Sequence, residues 1–326
     1  MKLSSKQSIP VIDLTPLYRS DSQAMNTLVQ QVYDAYSEIG FAYITNHGVA
    51  TELTDNVFNA SRKFHALNTE EKLRIEINQF HRGYIPINTS TDRTSEIEKA
   101  ARPNQSESFM MMHELAHDDP DVLQGAPLAG PNQWPSDVTG FKEVVTSYHD
   151  RLGELSHKLV KVFELALNTD RLSKHFVKPT TWLRLLHYPS LNMEDPEDLF
   201  GSNPHIDYGF ITILAQDKVG GLQVRSVTGD WIDVPYLENS FVMNTGEGLR
   251  HWSNGRLLAT PHRVVNRTGK ERYSCPFFFD PNIHSHISTL NSCVDKGEKR
   301  KYTDTVFGDM VMDHLRSNHD QHDQNK

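Results

Sequence analysis

A histidine and a carboxylate stand two residues apart at His205-Ile206-Asp207. On a β-strand, positions i and i+2 project to one face, so both side chains can reach a single ion. Joined by a distant second histidine, they form a set of two imidazoles and one carboxylate that leaves positions of iron(II) open. The tripeptide alone is weak. With 17 histidines and 42 acids in 326 residues, about two copies arise by chance. Two occur, the other being His117-Asp118-Asp119. Context separates them. His117 lies in an acidic stretch with Pro120 that reads as solvated surface. His205 opens an apolar run from Tyr208 to Leu214, where an unpaired His-Asp couple is costly to bury. A metal satisfies both.

The third ligand candidate is His262, in Thr260-Pro261-His262-Arg263-Val264-Val265, with Arg272-Tyr273-Ser274 just beyond. An arginine fork and a hydroxyl on one strand face make a carboxylate clamp. If Thr268-Gly269-Lys270 is a three-residue hairpin turn, Val264 faces Ser274 and His262 faces Pro276. That register puts His262, Arg272 and Ser274 on one side of a sheet. In the preceding strand, Trp182 to Pro189, alternation groups Trp182, Arg184, Leu186 and Tyr188. Arg184 is then a buried salt-bridge partner or a binder of a substrate carboxylate, because a buried guanidinium needs an anion either way.

The elements that must carry these groups change character near residue 178. Before it, the pattern is mostly helical. Leu28, Val32, Tyr36 and Ile39 recur at helical spacing and stop at Gly40, a strand follows at Phe41–Thr45, and a second helix runs from about Thr51 to Phe64. The longest helix spans roughly Phe141 to Leu167, its stripe including Val145, Leu152, Leu159 and Phe163. Residues 86 to 140, rich in Pro, Asp, Thr and Ser, read as loops suited to a lid. After 178, short β-rich runs alternate with turns such as Asn254-Gly255 and Thr268-Gly269-Lys270, which suggests a barrel of antiparallel sheet. The division is therefore 1–177, a helical region with short strands and lid-like loops; 178–312, a β core; and 313–326, a polar tail. The three form one compact unit. His314, His319 and His322 lie in the tail, where composition favours a fraying end over a metal tract.

Composition narrows the function. A net charge of −9 argues against a general nucleic-acid or membrane-surface binder. No apolar run is long enough to span a bilayer, and the first residues lack the apolar core of a signal peptide, so a cytoplasmic protein is expected. Cys275 and Cys293 are too few for a disulfide framework. The expected partner is a small molecule, and the expected state a monomer or weak homo-oligomer.

The chain resembles the isopenicillin N synthase-like branch of the iron(II)/2-oxoglutarate oxygenases. The likeness runs from Ile9-Pro10-Val11-Ile12-Asp13-Leu14 and Gly40 to Val49, through Thr69-Glu70-Glu71-Lys72 and Arg82-Gly83-Tyr84. Its most specific part is His205-Ile206-Asp207-Tyr208-Gly209-Phe210, Gly220-Gly221-Leu222-Gln223-Val224, Pro261-His262-Arg263-Val264 and Arg272-Tyr273-Ser274. The resemblance implies a mixed α+β protein with a mainly β core, a double-stranded β-helix (jelly roll) backed by the long helix. It implies Fe(II) held by His205, Asp207 and His262, and 2-oxoglutarate as co-substrate with its far carboxylate on Arg272, Ser274 and Tyr188. With O2, a small organic substrate would be oxidised as succinate and CO2 form. Leu186 departs from the pattern of many plant members, which carry an asparagine there, and this puts the keto-acid binding mode in question. Substrate residues do not carry over, and position suggests Arg184, Phe109 and Phe279.

Two other readings compete. Some relatives are iron oxidases that need no 2-oxoglutarate; the Arg272, Ser274 and Tyr188 trio favours a keto-acid user, although the same clamp could hold a substrate carboxylate instead. A non-catalytic metal-binding jelly roll would show a replaced ligand, and none is replaced. A zinc hydrolase lacks the HExxH pairing.

Overall fold

The computed structural model describes residues 8–91, 97, 102–192 and 194–318. In chain order the first elements are β1 (Val11–Asp13), α1 (Ser22–Glu38), β2 (Phe41–Thr45), α2 (Thr51–His65) and α3 (Thr69–Leu73). Next come β3 (Gly83–Ile85), β4 (Glu107–Met112), α4 (Pro120–Leu123) and α5 (Phe141–Ala166). The β-rich part holds β5 (Thr180–Tyr188), β6 (Ser202–His205), β7 (Ile211–Gln216), β8 (Leu222–Arg225), β9 (Trp231–Asp233) and β10 (Ser240–Thr245). After α6 (Glu247–Trp252) follow β11 (His262–Val264), β12 (Arg272–Asp280), β13 (His286–Ile287), β14 (Thr305–Val306) and α7 (Phe307–Asn318).

The helices begin and end where local chemistry dictates. Asp21 caps α1 by accepting from the backbone N–H groups of Gln23 and Ala24. The chain then turns at Gly40, whose φ of 77° suits glycine; a Cβ there would lie 2.3 Å from Thr260 Oγ1. Leu28, Val32 and Tyr36 of α1 bury against the α5 stripe, with Tyr36 and Phe163 edge to face at 5.6 Å. Each such large apolar side chain contributes roughly 1.5–3 kcal/mol on burial.

Among the described residues, eight strands form one sheet in the order β1-β2-β10-β7-β12-β5-β4-β3, and four form a second in the order β6-β11-β8-β9. Their inner faces meet through Phe41, Tyr43, Leu186, Tyr188 and Val242 on the large sheet and Leu222, Val224 and Val264 on the small one. The outer face of the large sheet packs on α5, where His149 meets Phe277 and His157 meets Phe279. This is the jelly roll that the sequence implied.

Three expectations need correction. β11 and β12 are not a hairpin: β11 pairs with β6 and β8, whereas β12 pairs with β5 and β7. The connection crosses from one sheet to the other, tied down by the Asn266 amide donating to the carbonyls of Tyr188 and Lys270. His262 and Ser274 still share a cavity, because the two sheets face each other. The stretch 86–140 is not all loop. It contains β4, whose run Phe109-Met110-Met111-Met112 buries it between β3 and β5; residues 92–96 and 98–101 of that stretch lie outside the described residues. Nor is 313–318 a loose tail. Phe307, Val311 and Leu315, spaced by four, are buried on α7. His319 and His322 lie outside the described residues.

Candidate active site

His205 ends β6 and His262 begins β11, and the two residues are directly opposed in the small sheet. Their rings lie 4.2 Å apart between centroids. Each Nδ1 donates to a backbone carbonyl two residues back, His205 to Asn203 at 2.7 Å and His262 to Thr260 at 3.2 Å. Those bonds fix the tautomer and leave each Nε2 with its lone pair free. Asp207 follows two residues after His205. Its Oδ2 accepts from Thr212 Oγ1 at 2.5 Å and from Asn244 Nδ2 at 2.7 Å, and these partners sit on β7 and β10 of the large sheet. Its Oδ1 faces both Nε2 atoms at 3.7 Å, too far for a hydrogen bond and close enough for one ion to bridge all three. One donor atom from each residue falls within a 4.8 Å cluster.

The electrostatics suit ligands. Burial would raise the Asp207 carboxyl, but His262, His205 and the two hydrogen bonds outweigh it and hold the group below the ordinary range. Burial, with His205 beside it, holds His262 down to about 4. A neutral imidazole and an ionised carboxylate are the forms that bind metal. By donor chemistry, two imidazole nitrogens and one carboxylate oxygen fit the iron(II) set.

On the facing sheet, Arg272, Ser274, Pro276, Phe278 and Asp280 form the inward row of β12, and Trp182, Arg184, Leu186 and Tyr188 that of β5. Arg272 is fully buried. Its Nε donates to the Gly220 carbonyl at 2.6 Å and its Nη1 to Ser274 Oγ at 3.2 Å, while the guanidinium lies 4.6 Å over the Tyr188 ring. Ser274 Oγ in turn donates to Tyr188 Oη at 3.4 Å. Arg272 Nη2 is buried with no hydrogen-bond partner. A charged donor left over in a closed cavity, beside two hydroxyls, fits an incoming carboxylate. Leu186 joins Leu214, Leu222 and Val264 in an apolar wall along the same cavity.

The cavity continues past the His205-Asp207 pair to Ile85, Met110, Trp182, Arg184, Tyr208, Phe278, Asp280, and to His314 and Leu315 from α7. Gly209 lets Asp280 approach, since a Cβ there would lie 1.8 Å from its Oδ1. Burial and nearby Asp207 push Asp280 up to about 7, although its Oδ1 accepts the Phe210 N–H at 2.7 Å. Arg184 therefore lines the cavity, as its strand position suggested. Phe109 and Phe279 do not. Phe109 pairs with Leu185 on the outward face and packs on Phe64 and Phe141; Phe279 stacks on Phe176 at 5.2 Å in the helical core. Strand alternation puts their neighbours Ser108, Met110 and Phe278 inward instead. His117 is exposed, and the acid two residues on from it, Asp119, caps α4 and bonds Lys178.

Similarity to known proteins agrees with this geometry. Residues 179–281 match the family model described as the 2OG-Fe(II) oxygenase superfamily, and residues 9–137 the one described as non-haem dioxygenase in morphine synthesis N-terminal. A 2-oxoglutarate-Fe(II) type oxidoreductase of Emericella nidulans is 36% identical over 314 residues, 93% of this chain and 88% of that protein. A homoarginine-6-hydroxylase of Oryza sativa subsp. japonica is 30% identical over 332 residues, 97% of this chain and 98% of the other. A full-length Neurospora crassa protein, whose crystal structure holds alpha-KG and thymine, has a TM-score of 0.83 at 29% identity, covering 97% of this chain and 99% of that one. The chain belongs to the 2OG-Fe(II) oxygenase superfamily, in its isopenicillin N synthase-like family. It is accordingly a 2-oxoglutarate-dependent dioxygenase that uses Fe(II), 2-oxoglutarate and O2 to oxidise a small molecule. No described helix is long and apolar enough to cross a membrane.

Proposed function

We propose that His205, Asp207 and His262 hold the iron, that Arg272, Ser274 and Tyr188 bind the far carboxylate of 2-oxoglutarate, and that the substrate enters beside Arg184. The observation that carries this reading is the Asp207 carboxylate. One oxygen is tied to Thr212 and Asn244, and the other is left facing two imidazole nitrogens at equal distance. When bound, iron supplies the centre at which O2 is activated at the expense of the keto acid.

The protein's own contributions are positional. Asn203 and Thr260 carbonyls hold the imidazoles in the ligating tautomer. Thr212 and Asn244 hold the carboxylate, and the Leu186, Leu214, Leu222 and Val264 wall excludes water around the keto acid. Relatives named for homoarginine and solved with thymine support a small organic substrate. The net charge of −9 and the two unpaired buried cysteines support a cytoplasmic monomer or weak homo-oligomer acting on neither nucleic acid nor membrane.

Asp207→Ala tests the assignment. It should abolish succinate formation and lower iron affinity at least tenfold while the circular dichroism spectrum stays native. Iron-dependent turnover at the native rate in that variant would refute the ligand set.

A further inference from the structure

We propose that the primary substrate is an organic carboxylate with an apolar body, and that Arg184 binds its carboxylate. The proposal rests on the iron and keto-acid assignments above and names what the remaining part of the cavity takes. Arg184 lies on the inward row of β5 between Trp182 and Leu186, and borders both the keto-acid compartment and the outer compartment that reaches α7. Its hydrogen bonding is unusually thin. Nη2 donates to Ser108 Oγ at 2.9 Å, and Nε is shut off from solvent with no partner. Burial lowers its pKa, so the cation is held at some cost.

Lys72 and Arg82, two other interior cations, are better compensated, whereas Arg272 keeps a partnerless Nη2 for the keto acid. Lys72 meets Glu107 at 2.7 Å, and Arg82 donates to the carbonyls of Phe80, Leu128 and His113. Among the described residues Arg184 has no ion pair. Both acids lining the cavity are otherwise engaged: Asp207 by Thr212, Asn244 and the imidazoles, Asp280 by the Phe210 N–H. Among the described residues no salt bridge accounts for Arg184, and an anion from outside is the partner we assign to it. A guanidinium fork selects a planar carboxylate. The walls around it, Met110, Trp182, Tyr208, Phe278 and Leu315, select an apolar or aromatic body.

The carboxylate could come from the substrate or from the keto acid. Geometry favours the substrate. Tyr188 of the clamp is four residues away on the same face of β5, about 13 Å along the strand. Ser108, which holds the guanidinium, lies on β4, on the opposite side of β5 from the clamp strand β12, so the charge is held laterally toward the sheet edge, although Ser108 stands opposite Leu186, one inward position nearer Tyr188.

The test uses the full chain with Fe(II), 2-oxoglutarate and matched pairs of small aromatic and aliphatic acids with their primary amides, read by substrate-stimulated succinate formation. Acids should stimulate turnover and their amides should not. In Arg184→Gln the KM for a stimulating acid should rise about a hundredfold. Keto-acid affinity without substrate should stay within about threefold of wild type, and Arg184→Lys should recover part of the loss. Arg184→Met should melt no lower than wild type, because it removes an uncompensated charge; a marked drop would mean a structural role and overturn the proposal. Amides that work as well as acids, or an unchanged KM in Arg184→Gln, would overturn it too. A loss of keto-acid affinity in Arg184→Gln matching that in Arg272→Met would give the guanidinium to the co-substrate and overturn the proposal equally. Normal keto-acid binding in Arg272→Met would instead count against the clamp assignment, leaving the acid-amide comparison to judge Arg184 alone.

Discussion

Replacing Arg272 with methionine keeps the length and apolar stem of the side chain while deleting its charge. The wild-type guanidinium holds one nitrogen on the Gly220 carbonyl and one on Ser274, and its Nη2 has no hydrogen-bond partner in the cavity. A keto-acid carboxylate bound there would gain a charge-assisted bond to Nη2, with Ser274 and Tyr188 hydroxyls beside it. Removing one side of such a buried pair costs about 3 kcal/mol, which is roughly a hundredfold in affinity. Iron should be affected little, since Arg272 touches none of His205, Asp207 and His262. Calorimetric titration of 2-oxoglutarate into anaerobic iron-loaded protein gives the first quantity, and competition with a chelator gives the second. Keto-acid affinity within about fivefold of wild type, or parallel losses of both ligands, would show the reasoning to be wrong.

Asn244→Leu removes one of two hydrogen bonds to Asp207 Oδ2, and iron affinity should fall about tenfold with the fold preserved; an unchanged chelator-competition curve would deny Asn244 its positioning role. Asp119→Ala should leave turnover intact and cost about 1 kcal/mol of stability, because it deletes the α4 cap; a loss of activity would mean that the His117 stretch is no decoy. Acid should destabilise the fold in two overlapping steps. Burial holds His65 down to about 3, so its contribution is complete above the ordinary imidazole value of 6.5 and fades as pH falls toward 3. Burial would raise Glu107, but hydrogen bonds from His187, Lys72 and Tyr84 hold it at about 2, and its contribution fades below 4.5. His65→Asn should therefore flatten the fall in melting temperature between pH 6.5 and 4, and an unaltered slope would rule out this role for His65.

The chemistry was legible where residue type and local context coincide. His205-Ile206-Asp207 could be told from His117-Asp118-Asp119 because one precedes an apolar run and the other lies in an acidic stretch; the pair does not share a strand, since His205 ends β6 and Asp207 lies in the link to β7. Alternation along β5 was enough to put Arg184 and Tyr188 on one face. Register between sheets was not legible. The short link from His262 to Arg272 looks like a hairpin, yet the chain changes sheets there, and nothing local distinguishes a crossover from a turn. Asn244 and Thr212 have no chemical signature of their own; they matter because β10 and β7 bring them to Asp207. Phe279 was one residue from the right choice. The parity that aligned Arg272 with Ser274 also points to Phe278 and Asp280. The spacing Phe307, Val311, Leu315 could have found α7, but the polar residues around it outweighed three apolar ones.

Asp207 hangs from one sheet while both imidazoles belong to the other, so a ferrous ion there would act as a rivet through the thickness of the barrel. Metal occupancy and mechanical cohesion then become one property. Protein stripped of its ion should let the two layers breathe apart, speeding amide exchange in β6 and β11 before any other strand loosens. A barrel riveted in this way would also resist proteases better when loaded than when empty.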